Sequence, residues 1–244
     1  MRRSFCLRLP LPALSLLAFA ALCAGLAWLG GLPAEGSPAG GPLSGPVCRA
    51  DVQGQRAAAL SFETLGSSSD TVKILEILED YGVKATFFLE GRWVESHPEE
   101  TRLIAAAGHE LGNHTQNHKR GLPSQDPAVM AQELSACSGA IEEACGETPS
   151  LFRPPYGLWS PALLQAGREQ GMEAVLWDVD SLDWKNLPPS QTEALVVEQT
   201  RPGSILRFQN SALNTASALP GVLEGLSARG YTLYTVSELL ALGQ

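Results

Sequence analysis

The chain has 244 residues, 44% of them hydrophobic and 18% charged, which excludes a disordered polymer and allows one domain with a proper core. Its net charge is -9, and Arg2, Arg3 and Arg8 against Glu35 are the only charges in the first 46 residues, so the rest carries about -11. That balance argues against nucleic acid as a partner and against electrostatic capture by anionic membranes or strongly acidic polymers.

The three arginines precede an almost unbroken apolar run from Leu9 to Leu32. This is the pattern of an export signal or a membrane anchor: too long for a typical cleaved signal core, close to the ~20 residues that span a bilayer. The basic flank stays in the cytoplasm and sends the remainder outside. Residues 33–46, rich in Pro, Gly, Ser and Ala, read as a flexible tether. The expected layout is a signal or transmembrane helix over 1–32, a linker over 33–46 and a folded domain over 47–244.

Within that domain short apolar runs alternate with helix-period segments. Val47–Gln55 predicts a small hairpin. Strands are expected at Ala57–Phe62, Lys84–Leu89, His109–Gly112, Leu151–Arg153, Ala174–Trp177, Ser204–Phe208 and Thr232–Thr235. Helices are expected between them: Thr71–Tyr81 behind Asp70, Glu99–Ala107 behind Pro98, and a long one from Pro127 to about Ala144, stopped by Gly146. Ser160–Pro161 opens the next, ending at Gly171. Ser190 caps Gln191–Gln199, Asn214 caps Thr215–Ala228 with Pro220 inside it, and Ser237 caps a short last helix. Seven strand–helix units predict a parallel sheet, and without a dinucleotide-binding glycine fingerprint a closed or nearly closed barrel is the expected form. Cys137 and Cys145 are eight apart on one predicted helix, ~12 Å of rise, too far to form a disulfide.

Barrels of this kind place their chemistry at the C-terminal ends of the strands. Polar residues collect there: Glu63 and Thr64, His114 and His118, Arg153 to Gly157, Asp178, Asp180 and Asp183, then Gln209 and Asn210. The i, i+4 spacing of His114 and His118 would aim both imidazoles at one ion from a single helical turn. Arg207 lies two residues before Gln209, so both point the same way, toward Glu63 or one of the three aspartates. His109 reads as a hydrogen-bonded structural residue and His97 as a surface or capping one. Trp177 and Trp184 are candidates for stacking on a sugar or for core packing.

The segments ALSFETLGSSSDTVKILEILEDYGVKATFFLEGRWVESHPE, AAAGHELGNHTQNH, LFRPPYG, LWDVDSLDW and GSILRFQN occur in that order. Together they resemble the five motifs of the polysaccharide deacetylase (NodB-homology) family, most nearly its sporulation-type peptidoglycan deacetylase branch. The likeness covers about residues 47–241. It implies a distorted (β/α)7 barrel, TIM-like, and metal-assisted hydrolysis of the N-acetyl group of an amino-sugar polysaccharide. It implies a divalent ion, most often zinc, held by His114 and His118. Tyr156 matches the backbone oxyanion donor, Arg153 the arginine that orients the base, and Asp183 the carboxylate that supports the acid. Pro155 and Trp184 match substrate contacts.

The sequence departs from the pattern at three catalytic positions. Glu63 stands in place of the catalytic aspartate, Thr64 in place of the aspartate ligand, and Gln209 in place of the catalytic histidine. A carboxamide hydrogen-bonds but supplies no proton to a leaving amine. Arg207 replaces an apolar residue. Two readings follow: a divergent deacetylase with Glu63 as base, or a pseudoenzyme that binds glycan or an envelope partner without cleaving it.

Overall fold

The computed structural model describes residues 45–243; the expected leader and most of the expected linker lie outside the described residues. Among the described residues no helix is long and apolar enough to cross a membrane.

Eight strands form one sheet: β1 (Ala57–Thr64), β2 (Thr86–Leu89), β3 (Glu110–Asn113), β4 (Leu151–Phe152), β5 (Glu173–Ala174), β6 (Val179–Asp180), β7 (Ile205–Gln209) and β8 (Thr232–Tyr234). The hydrogen-bonded order is β5-β4-β3-β2-β1-β7-β6, with β8 beside the start of β1, and every pairing is parallel. The expected barrel is therefore a curved, parallel-strand half-barrel. Of the fifth expected strand, Ala174–Trp177, only Ala174 falls in a strand, β5, and a second short strand, β6, follows beyond it. Strand β5 pairs with β4 and β6 pairs with β7, so the two ends of the sheet are joined by the chain itself.

The helices are α1 (Thr71–Asp80), α2 (Gly91–Ser96), α3 (Pro98–Ala106), α4 (Pro127–Cys145), α5 (Pro161–Glu169), α6 (Pro189–Gln199), α7 (Thr215–Ala228) and α8 (Val236–Ala241). Asp126 caps α4 through its side chain and Gly146 ends it in the left-handed region. Three capping expectations are corrected. Helix α6 begins at Pro189, whose ring suits the first turn, leaving Ser190 inside. Helix α8 is capped by Thr235 in a reciprocal box with Glu238, two residues before Ser237. Asn214 precedes α7 but donates instead to the Leu187 carbonyl. Six-residue α2 was not expected at all. Cys137 and Cys145 are unpaired, as the helical spacing requires.

Strand alternation decides which residues reach the barrel interior. Leu60 and Phe62 of β1 pack outward against Ile74 and Leu78 of α1 and Leu219 of α7. Ala57 and Ala59 turn inward with Phe88, Leu151, Val175 and Ile205. Continuing the inward row, Ser61 and Glu63 come next toward the rim. In β7 the outward pair is Leu206 and Phe208, which leaves Arg207 and Gln209 inside. At the opposite end α8 closes the barrel with Val236 and Leu239. There the Glu110 carboxylate accepts from the Thr86 hydroxyl at 2.6 Å and from Ser237.

The expected Val47–Gln55 hairpin is replaced by a strap. Val47 bridges Val175 in parallel and Arg49 bridges Ser204 antiparallel, because the open flank between β5 and β7 offers unpaired backbone groups on both sides. Ala50 N–H donates to the Gly203 carbonyl. Gly203 has φ +83°, and a Cβ there would lie 2.0 Å from the Ala50 carbonyl oxygen. Gly203→Ala should therefore cost about 2–4 kcal/mol in urea unfolding, since both the backbone angle and the strap must yield.

Candidate active site

At the rim the inward row of β1 ends on Glu63, whose side chain is 2% exposed and surrounded by three cationic or ring groups. Arg207 Nη2 donates to Glu63 Oε2 at 2.8 Å. Its Nη1 donates to Asp180 Oδ2 at 3.0 Å. The expected inward pairing of Arg207 is thus met by two carboxylates at once. Register explains this: Ser61 lies opposite Arg207 and Glu63 opposite Gln209 on β7, while Asp180 lies opposite Arg207 on β6.

Arg153 comes from the turn after β4 and is completely buried. Its Nη2 donates to the Ser61 hydroxyl at 2.9 Å and to the Leu176 carbonyl at 3.1 Å; its Nη1 is 3.8 Å from Glu63 Oε1. Trp177 carries both guanidinium groups, with Arg207 4.4 Å and Arg153 5.5 Å from its ring. Of the two roles open to Trp177, the structure displays packing, with the ring against the inner core cluster. Ser61 escaped the sequence reading, although its i, i+2 relation to Glu63 on a strand signals the same face.

His114 and His118 do meet, with ring centroids 4.7 Å apart, but no helix holds them. They lie on the loop after β3, where Thr115 and His118 adopt positive φ (66° and 47°). That loop geometry, rather than a helical turn, sets their approach. His114 Nδ1 lies 2.8 Å from the Arg153 carbonyl, which fixes the proton on Nδ1 and leaves the Nε2 lone pair facing Glu63 Oε2 at 3.8 Å. Tyr156, itself at φ 58°, covers His118 with its ring at 4.5 Å, and Arg120 lies over Tyr156 at 5.1 Å. His109 accepts from Ala85 N–H, the structural role expected of it.

The electrostatics follow from burial and neighbours. Burial alone would push the Glu63 carboxyl up; the His114 charge, then the Arg207 hydrogen bond and the Arg207 and Arg153 charges, more than offset it, holding the carboxyl at about 2. Burial is also the main cause at His114, held at about 3, so its charge reinforces Glu63 only in strong acid. Burial first lowers His118 as well, with the Arg207 charge adding to it against the pull of Glu63. At neutral pH the site therefore contains an ionised glutamate, two neutral imidazoles and two guanidinium cations.

Several expected roles are occupied otherwise. Asp183 is buried and accepts from Gln209 N–H at 2.8 Å, from the Thr215 hydroxyl at 2.6 Å and from Trp184 N–H at 2.8 Å. It staples the end of β7 to the start of α7 rather than orienting an imidazole. Asp178 is likewise spent on Ser204 and the Ile205 N–H. Gln209 sits half-buried beside Glu63 on the sheet. Pro155, expected to touch substrate, is buried in its turn, whereas Tyr156 and Trp184 are 48% and 46% exposed.

The residues do not fit a resident divalent ion as they stand. The two imidazole Nε2 atoms are buried without a protein partner, as ligands would be. The carboxylate beside them, however, is already neutralised by a guanidinium. Thr64 falls on the face of β1 opposite Glu63 and donates its hydroxyl to the Phe88 carbonyl. Among the described residues no three His, Cys, Asp or Glu side chains form a metal cluster. A zinc ion at His114 and His118 would have to share the Glu63 carboxylate with a fixed positive charge.

Comparison with known proteins places this geometry among relatives. Residues 50–175 match the polysaccharide deacetylase family. An uncharacterised Bacillus subtilis protein, YlxY, is 34% identical over 69% of this chain and 52% of its own, so the chain spans about half of that relative's length. The peptidoglycan-N-acetylglucosamine deacetylase of Bacillus cereus is 32% identical over 76% of this chain and 89% of its own. A mutant of a CE4-family pseudoenzyme from Bacillus anthracis, with restored enzymatic activity, superposes with a TM-score of 0.78 at 30% identity, over 81% of this chain and 72% of that one.

The Glu63 charge has a direct consequence for acid stability. Its folded value lies below the unfolded 4.5, so its contribution is complete above that value and is lost as pH falls toward about 2. Urea unfolding at about pH 5.5 and about pH 3 should show the wild type losing about 2 kcal/mol more than Glu63→Gln.

Proposed function

Because this chain belongs to the polysaccharide deacetylase family, we propose that it holds an N-acetylated amino-sugar polysaccharide of the cell envelope, peptidoglycan or a related glycan, without hydrolysing it. One observation carries the reading: Arg207 bridges Glu63 at 2.8 Å and Asp180 at 3.0 Å. A general base must be free to reach the proton it takes, with a pKa near the working pH. Glu63 is buried, ion-paired and held at about 2. Gln209 has no proton to give to a leaving amine. Neither half of the proton traffic is available.

The binding half of the machinery remains. Tyr156 and Trp184 expose aromatic faces on loops that follow β4 and β6, the end of the barrel where the family's glycan would lie. Such faces pack against the apolar face of a pyranose, and the Tyr156 ring is held from below by His118. The acidic surface suits a neutral or amine-bearing glycan better than an acidic one. Delivery of residues 47–244 outside the cytoplasmic membrane, by the apolar leader and the linker, belongs to the same proposal.

The second reading is a metal-dependent hydrolase acting on the carbon–nitrogen bond of the acetamido group. It is favoured by the two buried imidazole nitrogens that have no protein partner. The readings part on one assay. Native protein, supplied with zinc, cobalt or manganese, should release no acetate from chitooligosaccharides or peptidoglycan, yet sediment with insoluble peptidoglycan. Trp184→Ala should weaken that sedimentation about tenfold, the loss of one stacking face. Turnover by the native chain would establish the hydrolase instead.

A further inference from the structure

We propose that the Arg207 guanidinium is a resident cation standing in the place of a divalent ion, and that its charge keeps metal out of a latent site made by His114, His118 and Glu63. This deepens the non-hydrolysing reading, on which it rests, by naming what disables the site.

His114 and Arg207 both approach Glu63, and His118 lies next to His114. Glu63 Oε2 lies 3.8 Å from His114 Nε2 and 2.8 Å from Arg207 Nη2. The His118 ring lies against that of His114, tilted by 51° with centroids 4.7 Å apart. A carboxylate oxygen and an imidazole lone pair facing each other at 3.8 Å are two acceptors in mutual repulsion, and a cation between or beside them removes the conflict. In this chain that cation is covalent. It is anchored away from the site by Asp180 at 3.0 Å and by the Trp177 face at 4.4 Å, both supplied by the segment that joins β5 to β7. Its side chain is only 11% exposed, so water screens it weakly.

The same geometry shows what a neutral side chain would leave. His114 is already in the tautomer that offers Nε2, because Nδ1 is committed to the Arg153 carbonyl at 2.8 Å. The Nε2 atoms of both histidines are buried and have no protein partner. Glu63 would retain only Arg153, at 3.8 Å. Two imidazoles and one carboxylate with a position left open make a recognised zinc donor set. With Arg207 in place, a divalent ion would have to share Glu63 with a guanidinium a few ångströms away.

Isothermal titration with zinc chloride, with atomic emission after dialysis, tests this without any assay of turnover. Arg207→Met should bind one zinc per chain about 100-fold or more tighter than the wild type, with a matching rise in Tm. Adding His118→Ala should abolish that gain. Arg207→Lys, which keeps the charge, should behave as the wild type does. If Arg207→Met does not fold, Arg207→Gln, whose amide still donates to Glu63, carries the same expectation. The proposal is overturned if the wild type binds zinc as tightly as the neutral variants, or if those variants bind no better than Arg207→Lys. Failure here leaves the sedimentation and acetate results untouched, and acetate release by the native chain would remove the non-hydrolysing reading whatever the titration gives.

Discussion

A carboxylate enclosed by two guanidinium groups organises the rim of this barrel. Two unit charges about 4 Å apart attract by about 4 kcal/mol at an effective dielectric of about 20, yet taking each ion out of water costs several kcal/mol. The attraction must cover that cost before it adds stability, and at Glu63 it does, since the carboxyl is held at about 2; the pair also fixes position. It fixes Arg207 against Trp177, which in turn receives Arg153, and Arg153 supplies the carbonyl that selects the His114 tautomer. Arg153 is also held independently of that pair, by the Ser61 hydroxyl, the Leu176 carbonyl and the Phe88 ring at 4.0 Å.

The rest of the rim has been refitted around that cluster. Asp183, with no imidazole to orient, closes the β7–α7 junction through Gln209 N–H and Thr215. Thr64 satisfies a backbone carbonyl of β2. These are well-formed hydrogen bonds in buried surroundings, where an unpaired group would cost about 1–3 kcal/mol. The altered positions are thus mutually consistent parts of a stable structure. Membership of a family supplies the scaffold, and the chemistry is decided by the side chains the scaffold brings together.

Backbone strain collects at the same end of the molecule. Thr115, His118, Tyr156 and Leu182 all have positive φ, although none is glycine, and all lie on loops that follow strands of the sheet. Conformations of this kind persist only where surrounding contacts over-determine them. Here the contacts are the tilted, touching rings of His114, His118 and Tyr156 and the Leu182 N–H bond to the Asp180 carboxylate. The histidine pair owes its closeness to these loops.

The sequence by itself determined the parallel α/β architecture, most helix bounds, the inward face of β1 and β7, and the set of residues at the rim. Those features follow from period, capping chemistry and strand alternation, which are local. It also placed Arg207 beside a carboxylate, because two residues apart on a strand share a face. Only the tertiary structure decided that Arg207 takes Glu63 and Asp180 while Asp178 and Asp183 accept from hydroxyls and backbone N–H groups. It also decided that the chain over 173–180 pairs as two short strands with two different neighbours, that Val47–Ala50 straps the open flank, and that the histidines meet on a loop. Those outcomes turn on register between strands more than 100 residues apart and on where unpaired backbone groups remain, and no stretch of local sequence encodes either.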